Sequence, residues 1–190
     1  SFGLNGFSTS KDFMNVLECA QKISSQTDGY FDITIFDLMS FWGFGPFPRA
    51  KPIQIDKIES ILSYTGYKFL KLEDKVYKLN PLLKVDFNAI AKGYGVDKVF
   101  QFMIDQGFDN LLVEIGGEVR AQGISSSGTF WTIGVDTPTL NKKSKIPFAA
   151  IIELDGNSMA TSGNYRNYIE FNGKILGHTI NPKIGYPINS

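Results

Sequence analysis

A carboxylate, a lysine and three small residues fall within one short stretch, Asp86-Phe87-Asn88-Ala89-Ile90-Ala91-Lys92-Gly93. Ala89, Ala91 and Gly93 alternate up to an apolar pattern at helical spacing, so backbone N–H groups there can approach a ligand closely. A helix start carries partial positive charge, and that geometry suits a phosphate. Lys92 would add a full charge beside it, and Asp86 could accept from a ring N–H or a metal-bound water. The same residues also make an ordinary strand-to-helix turn with a solvated lysine, and the stretch alone does not separate the two readings. The chain has one histidine, His178, followed by Thr179-Ile180-Asn181-Pro182. Its imidazole is the one side chain whose ordinary pKa suits proton transfer near neutral pH.

Other chemistries are excluded or weakly supported. One His and one Cys cannot close a zinc site. Neither a Walker loop nor a dinucleotide-binding Gly-x-Gly-x-x-Gly is present. A Ser-His-Asp hydrolase is allowed by residue counts but has no nucleophile-elbow motif. Nineteen basic and nineteen acidic residues give a net charge of zero, which argues against a nucleic-acid groove or an anionic membrane surface. No apolar run approaches the length of a membrane span, and none has the build of a signal peptide. With 43% hydrophobic and 20% charged residues, the 190-residue chain can bury a core and reads as one domain. Both ends read as cut from something longer.

The elements that would position these residues follow from periodicity. Ser8, Thr9 and Ser10 offer N-caps to a helix with Phe13, Val16, Leu17, Ala20 and Ile23 on one face, closed by Asp28-Gly29. The lone Cys19 lies within this helix. Phe31, Ile33 and Ile35 alternate with Asp32 and Thr34, which predicts a half-buried strand. Phe41 to Pro46 reads as a glycine-punctuated aromatic loop, either a plug over the core or one wall of a pocket for a flat ring. Ile55, Ile58, Ile61 and Leu62 predict a second helix. A hairpin is expected across Glu73-Asp74-Lys75, and a helix through Val96, Val99, Phe100, Met103 and Ile104. Strands are expected at Leu111 to Ile115, Trp131 to Val135 and Phe148 to Leu154. Tyr165 to Phe171 and Lys174 to His178 flank Asn172-Gly173, a strong hairpin signal. Gly116-Gly117, directly after a strand, marks a close approach by backbone or ligand. The expected fold class is α+β, with mixed or antiparallel sheets and several packed helices.

Six dispersed motifs remain: Asp28-Gly29-Tyr30-Phe31-Asp32-Ile33-Thr34, Trp42-Gly43-Phe44-Gly45, the Asp86 to Gly93 stretch, Gly116-Gly117-Glu118, Ala160-Thr161-Ser162-Gly163 and His178-Thr179-Ile180-Asn181-Pro182. In this order they resemble the ApbE family of FAD:protein FMN transferases across residues 28 to 187. The resemblance implies an ApbE-like fold and a transfer of FMN from FAD to a threonine hydroxyl of an acceptor protein, with AMP released and magnesium required. It implies flavin-nucleotide contacts at Tyr30, Phe31, Asp32, Asp86, Lys92 and Ile180. It implies magnesium coordination by the backbone carbonyl of Ala89, and a base or orienting role for His178. An exported, lipid-anchored or periplasmic location is implied in the same way. Thr161 and Ser162 are read as loop hydroxyls bonded to backbone.

Three positions depart from the family pattern. Asn181 stands where Asp is usual, Ile184 where Thr is usual, and Asn88 where Gly is usual. The family's other metal ligands lie in a segment that follows this stretch. Two alternatives therefore accompany the transferase reading: an FAD pyrophosphatase that yields FMN and AMP, and a flavin-binding protein without catalysis.

Overall fold

The computed structural model describes residues 6–46, 52–137, 148–163 and 167–189. In chain order the elements are α1 (Lys11–Gln26), α2 (Phe36–Trp42), α3 (Lys57–Leu62), β1 (Leu70–Leu72), β2 (Val76–Lys78), α4 (Ala91–Asp105), β3 (Leu111–Ile115), β4 (Glu118–Gln122), β5 (Trp131–Asp136), β6 (Phe148–Leu154), β7 (Ser158–Met159), β8 (Tyr168–Phe171), β9 (Lys174–Asn181) and β10 (Tyr186–Asn189). Every pairing among these strands is antiparallel, and the fold is α+β. No helix among the described residues is long and apolar enough to cross a membrane. The chain forms two compact units, Ser1–Ala89 with Arg166–Ser190, and Ile90–Tyr165.

In the first unit, α1 starts where Ser10 Oγ accepts the Phe13 N–H at 3.2 Å. It buries Val16, Leu17 and Ala20 of the expected apolar face together with Ser24, while Phe13 and Ile23 are half-buried. A second core gathers Leu38 and Trp42 of α2, Ile58 of α3, and Leu176 and Ile180 of β9. Trp42 is fully buried, and its indole N–H donates to the Gly185 carbonyl at 2.7 Å. A Cβ on Gly185 would lie 2.7 Å from Ile58 Cγ2, so the turn before β10 can approach the helices this closely only as glycine. The sheet runs β10-β9-β8. Its β8–β9 turn holds Asn172 at φ 50° and Gly173 at φ 72°, the two left-handed residues of a type I′ hairpin. Tyr165, expected to open this strand, lies outside the described residues, and β8 begins at Tyr168.

In the second unit, α4 packs on β3 and β4 of the sheet β3-β4-β7. The Arg120 guanidinium lies 4.3 Å from the centroid of the Phe100 ring and 2.7 Å from Asp97. Val119, Ala121 and Leu154 form the core with Leu112, Trp131, Ile133 and Met159 packed against it. The pair β5–β6 completes the unit.

Two expectations are corrected. Residues 31–35 form a turn rather than a strand, because the Asp32 side chain bonds the Thr34 backbone and offers it an alternative to a ladder. The aromatic stretch from Phe41 is not all loop: Phe41 and Trp42 are the end of α2, and Gly43 caps it. Trp42 is therefore a core residue, as the plug reading holds. The apolar run before Asp86 belongs to no strand.

Trp42→Phe removes the donor that satisfies the Gly185 carbonyl and leaves a void. The expected loss is about 2–4 kcal/mol, seen as a lower denaturant midpoint with an unchanged m-value. A second test follows from Tyr64, whose hydroxyl donates to Asp37 Oδ2 at 3.1 Å. Partial burial, then the Asp37 charge, pushes Tyr64 up from 10.0 to about 12. The raised value means the protonated hydroxyl stabilises the fold below the ordinary tyrosine pKa. That contribution disappears as pH climbs through the window from 10.0 to about 12. The stability gap between wild type and Tyr64→Phe is therefore expected to narrow across that window in denaturation at stepped pH.

Candidate functional site

Asp32 is 7% exposed and Thr34 2% exposed, so their polar atoms need partners inside the fold. They find them in each other and in the chain before β1. The Thr34 N–H and hydroxyl both donate to Asp32 Oδ1, at 2.8 and 2.6 Å. The Tyr67 N–H donates to Asp32 Oδ2 at 2.7 Å, and the Gly66 N–H donates to Thr34 Oγ1 at 2.7 Å. Between the two side chains, the Ile33 carbonyl accepts the Asp86 N–H at 2.6 Å. Phe87, the next residue, meets the Phe13 ring edge-on at 5.2 Å. The motif around Asp32 and the motif around Asp86 thus meet at one turn.

Asp86 Oδ1 accepts the Asn88 N–H at 2.7 Å, and Oδ2 accepts Asn88 Nδ2 at 3.3 Å. Ala89 follows, exposed, at the end of the first unit. No three His, Cys, Asp or Glu side chains cluster as metal ligands among the described residues. A carbonyl at Ala89 and a carboxylate already engaged by Asn88 do not by themselves complete a magnesium site, and a bound ion would need further oxygen ligands, water among them.

The Tyr30 ring is 63% exposed, and the Lys183 ammonium stands 4.3 Å from its centroid. Lys183 Nζ also donates to Asp28 Oδ2 at 2.6 Å. This bond holds the Asp28 carboxyl below its ordinary pKa and lifts Lys183 above the usual lysine value. Phe31 is half-buried, its N–H donating to Thr27 Oγ1 at 3.1 Å. His178 and Ile180 both lie on β9. The His178 N–H donates to the Asn167 carbonyl at 3.0 Å, and its ring lies 6.3 Å from Phe44. Its Nδ1 is buried without a hydrogen-bond partner among the described residues. The Ile180 side chain is in the core with Leu38 and Trp42, so what it can present to a ligand is backbone. Asn181 Oδ1 accepts the Lys183 N–H at 3.0 Å.

Lys92 belongs to the second unit, in the first turn of α4. Its ammonium lies 2.6 Å from Glu118 Oε2 and donates to the Gly116 carbonyl at 3.1 Å. Gly116-Gly117 is the two-residue turn joining β3 to β4, and the Gly117 N–H donates to Glu114 Oε1 at 2.6 Å. The close approach expected here, by backbone or ligand, is at Gly116 an approach by the Lys92 side chain, whose Cδ would be 3.2 Å from a Cβ there, and a Cβ at Gly117 would meet nothing within 4 Å.

The structure therefore joins Tyr30, Phe31 and Asp32 to Asp86 through the 31–35 turn, and Tyr30 to the loop after β9 through Lys183. Three residues with a structural part were given no role by sequence reasoning. Thr34 could have been found, since a hydroxyl two residues after Asp suits a side-chain-bonded turn. Glu118 could have been found from the two-residue turn that returns it beside a lysine. Lys183 gave no signal, because its partner Asp28 is 155 positions away.

The sequence model of the ApbE family matches residues 3–190, and the chain belongs to that family. It is 37% identical over 186 residues to the FAD:protein FMN transferase of Vibrio cholerae, covering 97% of this chain and 55% of that protein. It is 37% identical over 185 residues to the protein of the same name from Haemophilus influenzae, covering 94% of this chain and 53% of that one. Among solved structures it resembles the flavin transferase ApbE of Vibrio cholerae, with a TM-score of 0.85 and 33% identity over 99% of this chain and 59% of that one. The chain spans about half the length of the curated relatives it matches.

Asp32→Asn replaces an acceptor by an amide N–H that faces a backbone donor. The expected cost is about 1–3 kcal/mol of stability, with faster amide hydrogen exchange at Gly66 and Tyr67. Both are measurable by chemical denaturation and by exchange mass spectrometry.

Proposed function

We propose that the protein of which this chain is a part transfers FMN from FAD to a threonine hydroxyl of an acceptor protein and releases AMP. One observation carries the reading. Residues that match the family's flavin-nucleotide contacts, Tyr30 to Asp32 and Asp86, are separated by over fifty positions yet meet at one hydrogen-bonded turn. Relatives sharing 37% identity over nearly the whole chain carry the name FAD:protein FMN transferase.

In this reading the threonine oxygen attacks the FMN-side phosphorus of the pyrophosphate. A bond from that oxygen to phosphorus forms as the bond from phosphorus to the AMP oxygen breaks. The hydroxyl proton passes to the His178 imidazole, a general-base contribution of roughly a hundredfold to ten-thousandfold. Lys92, oriented by Glu118 and the Gly116 carbonyl, supplies positive charge toward phosphate. A bound magnesium ion would neutralise phosphate charge; Ala89 would lend it a carbonyl. The proposed location, on resemblance alone, is the outer face of the cytoplasmic membrane or the periplasm, with an acceptor protein as partner.

The test is incubation of the parent protein with FAD, magnesium and a threonine-bearing acceptor peptide, following AMP release and peptide mass together. AMP with an FMN-bearing peptide is the expected result, abolished by a chelator and reduced at least a hundredfold by His178→Ala. AMP with free FMN would replace the transferase by a pyrophosphatase, and FAD binding without AMP would leave a flavin binder.

A further inference from the structure

A polar cluster around Lys183 takes no part in the proposed proton and phosphoryl transfer. Lys183 lies in the turn between β9 and β10, and three contacts converge on it. Its backbone N–H is held by Asn181 Oδ1 at 3.0 Å, which fixes the direction in which the side chain leaves the turn. Its ammonium donates to Asp28 Oδ2 at 2.6 Å and stands 4.3 Å from the Tyr30 centroid. Asp28 sits at φ 50°, in the left-handed region that Asp tolerates better than most residues. The Asp28 to Tyr30 turn is thus bent around a cation that belongs to the loop after β9.

An exposed tyrosine ring with nothing beside it samples several rotamers, and a flat ligand must then select one of them. An ammonium over one face removes that freedom and leaves the opposite face open. Tyr30 remains 63% exposed with Lys183 in place. We infer that Lys183 is a positioning residue: clamped by Asp28, it holds the Tyr30 ring as a platform on which a flat ring of the FAD substrate stacks. The inference rests on the proposed FAD-dependent function, and it adds to it a specificity element that acts through Tyr30. The charge of Lys183 is committed to Asp28 and to the ring, so its part is played through Tyr30.

Titration of the protein with FAD, read by flavin fluorescence, tests this. Lys183→Met keeps the length of the stem and removes the ammonium. Its dissociation constant for FAD is expected to rise roughly fivefold, in line with loss of one cation–π contact and its ordering of the ring. Lys183→Arg is expected to restore affinity, because a guanidinium both pairs with a carboxylate and stacks on a ring. Asp28→Asn, which releases the clamp but keeps the cation, is expected to give a smaller rise. The wild type's advantage over Lys183→Met is expected to shrink at roughly 1 M sodium chloride, where exposed charges are screened. A purely structural role for the methylene stem would give none of the salt dependence and no Met–Arg difference. If the wild type binds FAD and folded Lys183→Met binds it equally well, this inference alone falls. A wild type that fails to bind FAD overturns the proposed function and this inference with it.

Discussion

The arrangement depends most on one buried carboxylate. Asp32 has left water almost entirely, and a carboxylate in that position must be met by several donors or it would cost more than the turn is worth. Three N–H and O–H groups meet it, from Thr34 and Tyr67, and Thr34 in turn receives Gly66. Once these bonds are made, the backbone at 31–35 cannot run on as a strand. The Ile33 carbonyl is left free to accept the Asp86 amide, and α2 starts directly after, carrying Leu38 and Trp42 into the core. A short polar motif therefore fixes two loops and the start of a helix together.

What was legible in the sequence is what local chemistry controls. The face of α1, the Asn172-Gly173 hairpin and the strands at 111–115, 131–135 and 148–154 all follow from periodicity and turn residues. The error at 31–35 has the same origin. Phe31, Ile33 and Ile35 do alternate, but alternation counts apolar positions and does not weigh a side chain that bonds its own backbone. β4 passed unseen because Glu118-Val119-Arg120-Ala121-Gln122 offers only two apolar residues, although both are buried. Residue types and order singled out Asp32, Asp86, Lys92 and His178 as candidates, whereas the pairing of Lys183 with Asp28 depends on tertiary proximity alone.

The departures from the family pattern can be read against the bonds found. At Asn181 the side-chain oxygen accepts the Lys183 N–H, a task that an amide oxygen performs as well as a carboxylate oxygen. That bond needs no charge at position 181. Asn88 is different in kind. Its backbone and side-chain N–H groups both bond to Asp86, so the residue replacing glycine adds a contact that glycine could not make. That contact uses one lone pair on each Asp86 oxygen, and a carboxylate has about four acceptor sites, so Asp86 retains capacity for a ligand donor.

The same counting applies to Lys92. An ammonium has three N–H donors; one is bonded to the Gly116 carbonyl, while Glu118 faces the ammonium as an ion pair whose Oε2 has no hydrogen-bond partner among the described residues. The lysine side chain is 45% exposed, while Glu118 is 17% exposed and faces its partner from the buried side. A phosphate oxygen can take a further N–H without displacing Glu118. The lysine then loses none of its orienting contacts on binding, and its rotamer entropy is already spent in forming the fold. The carboxylate weakens the net charge offered to a phosphate, but it fixes where that charge points. For phosphoryl transfer, where catalysis is chiefly positioning and electrostatics, a lysine held in direction contributes more than a freely solvated one.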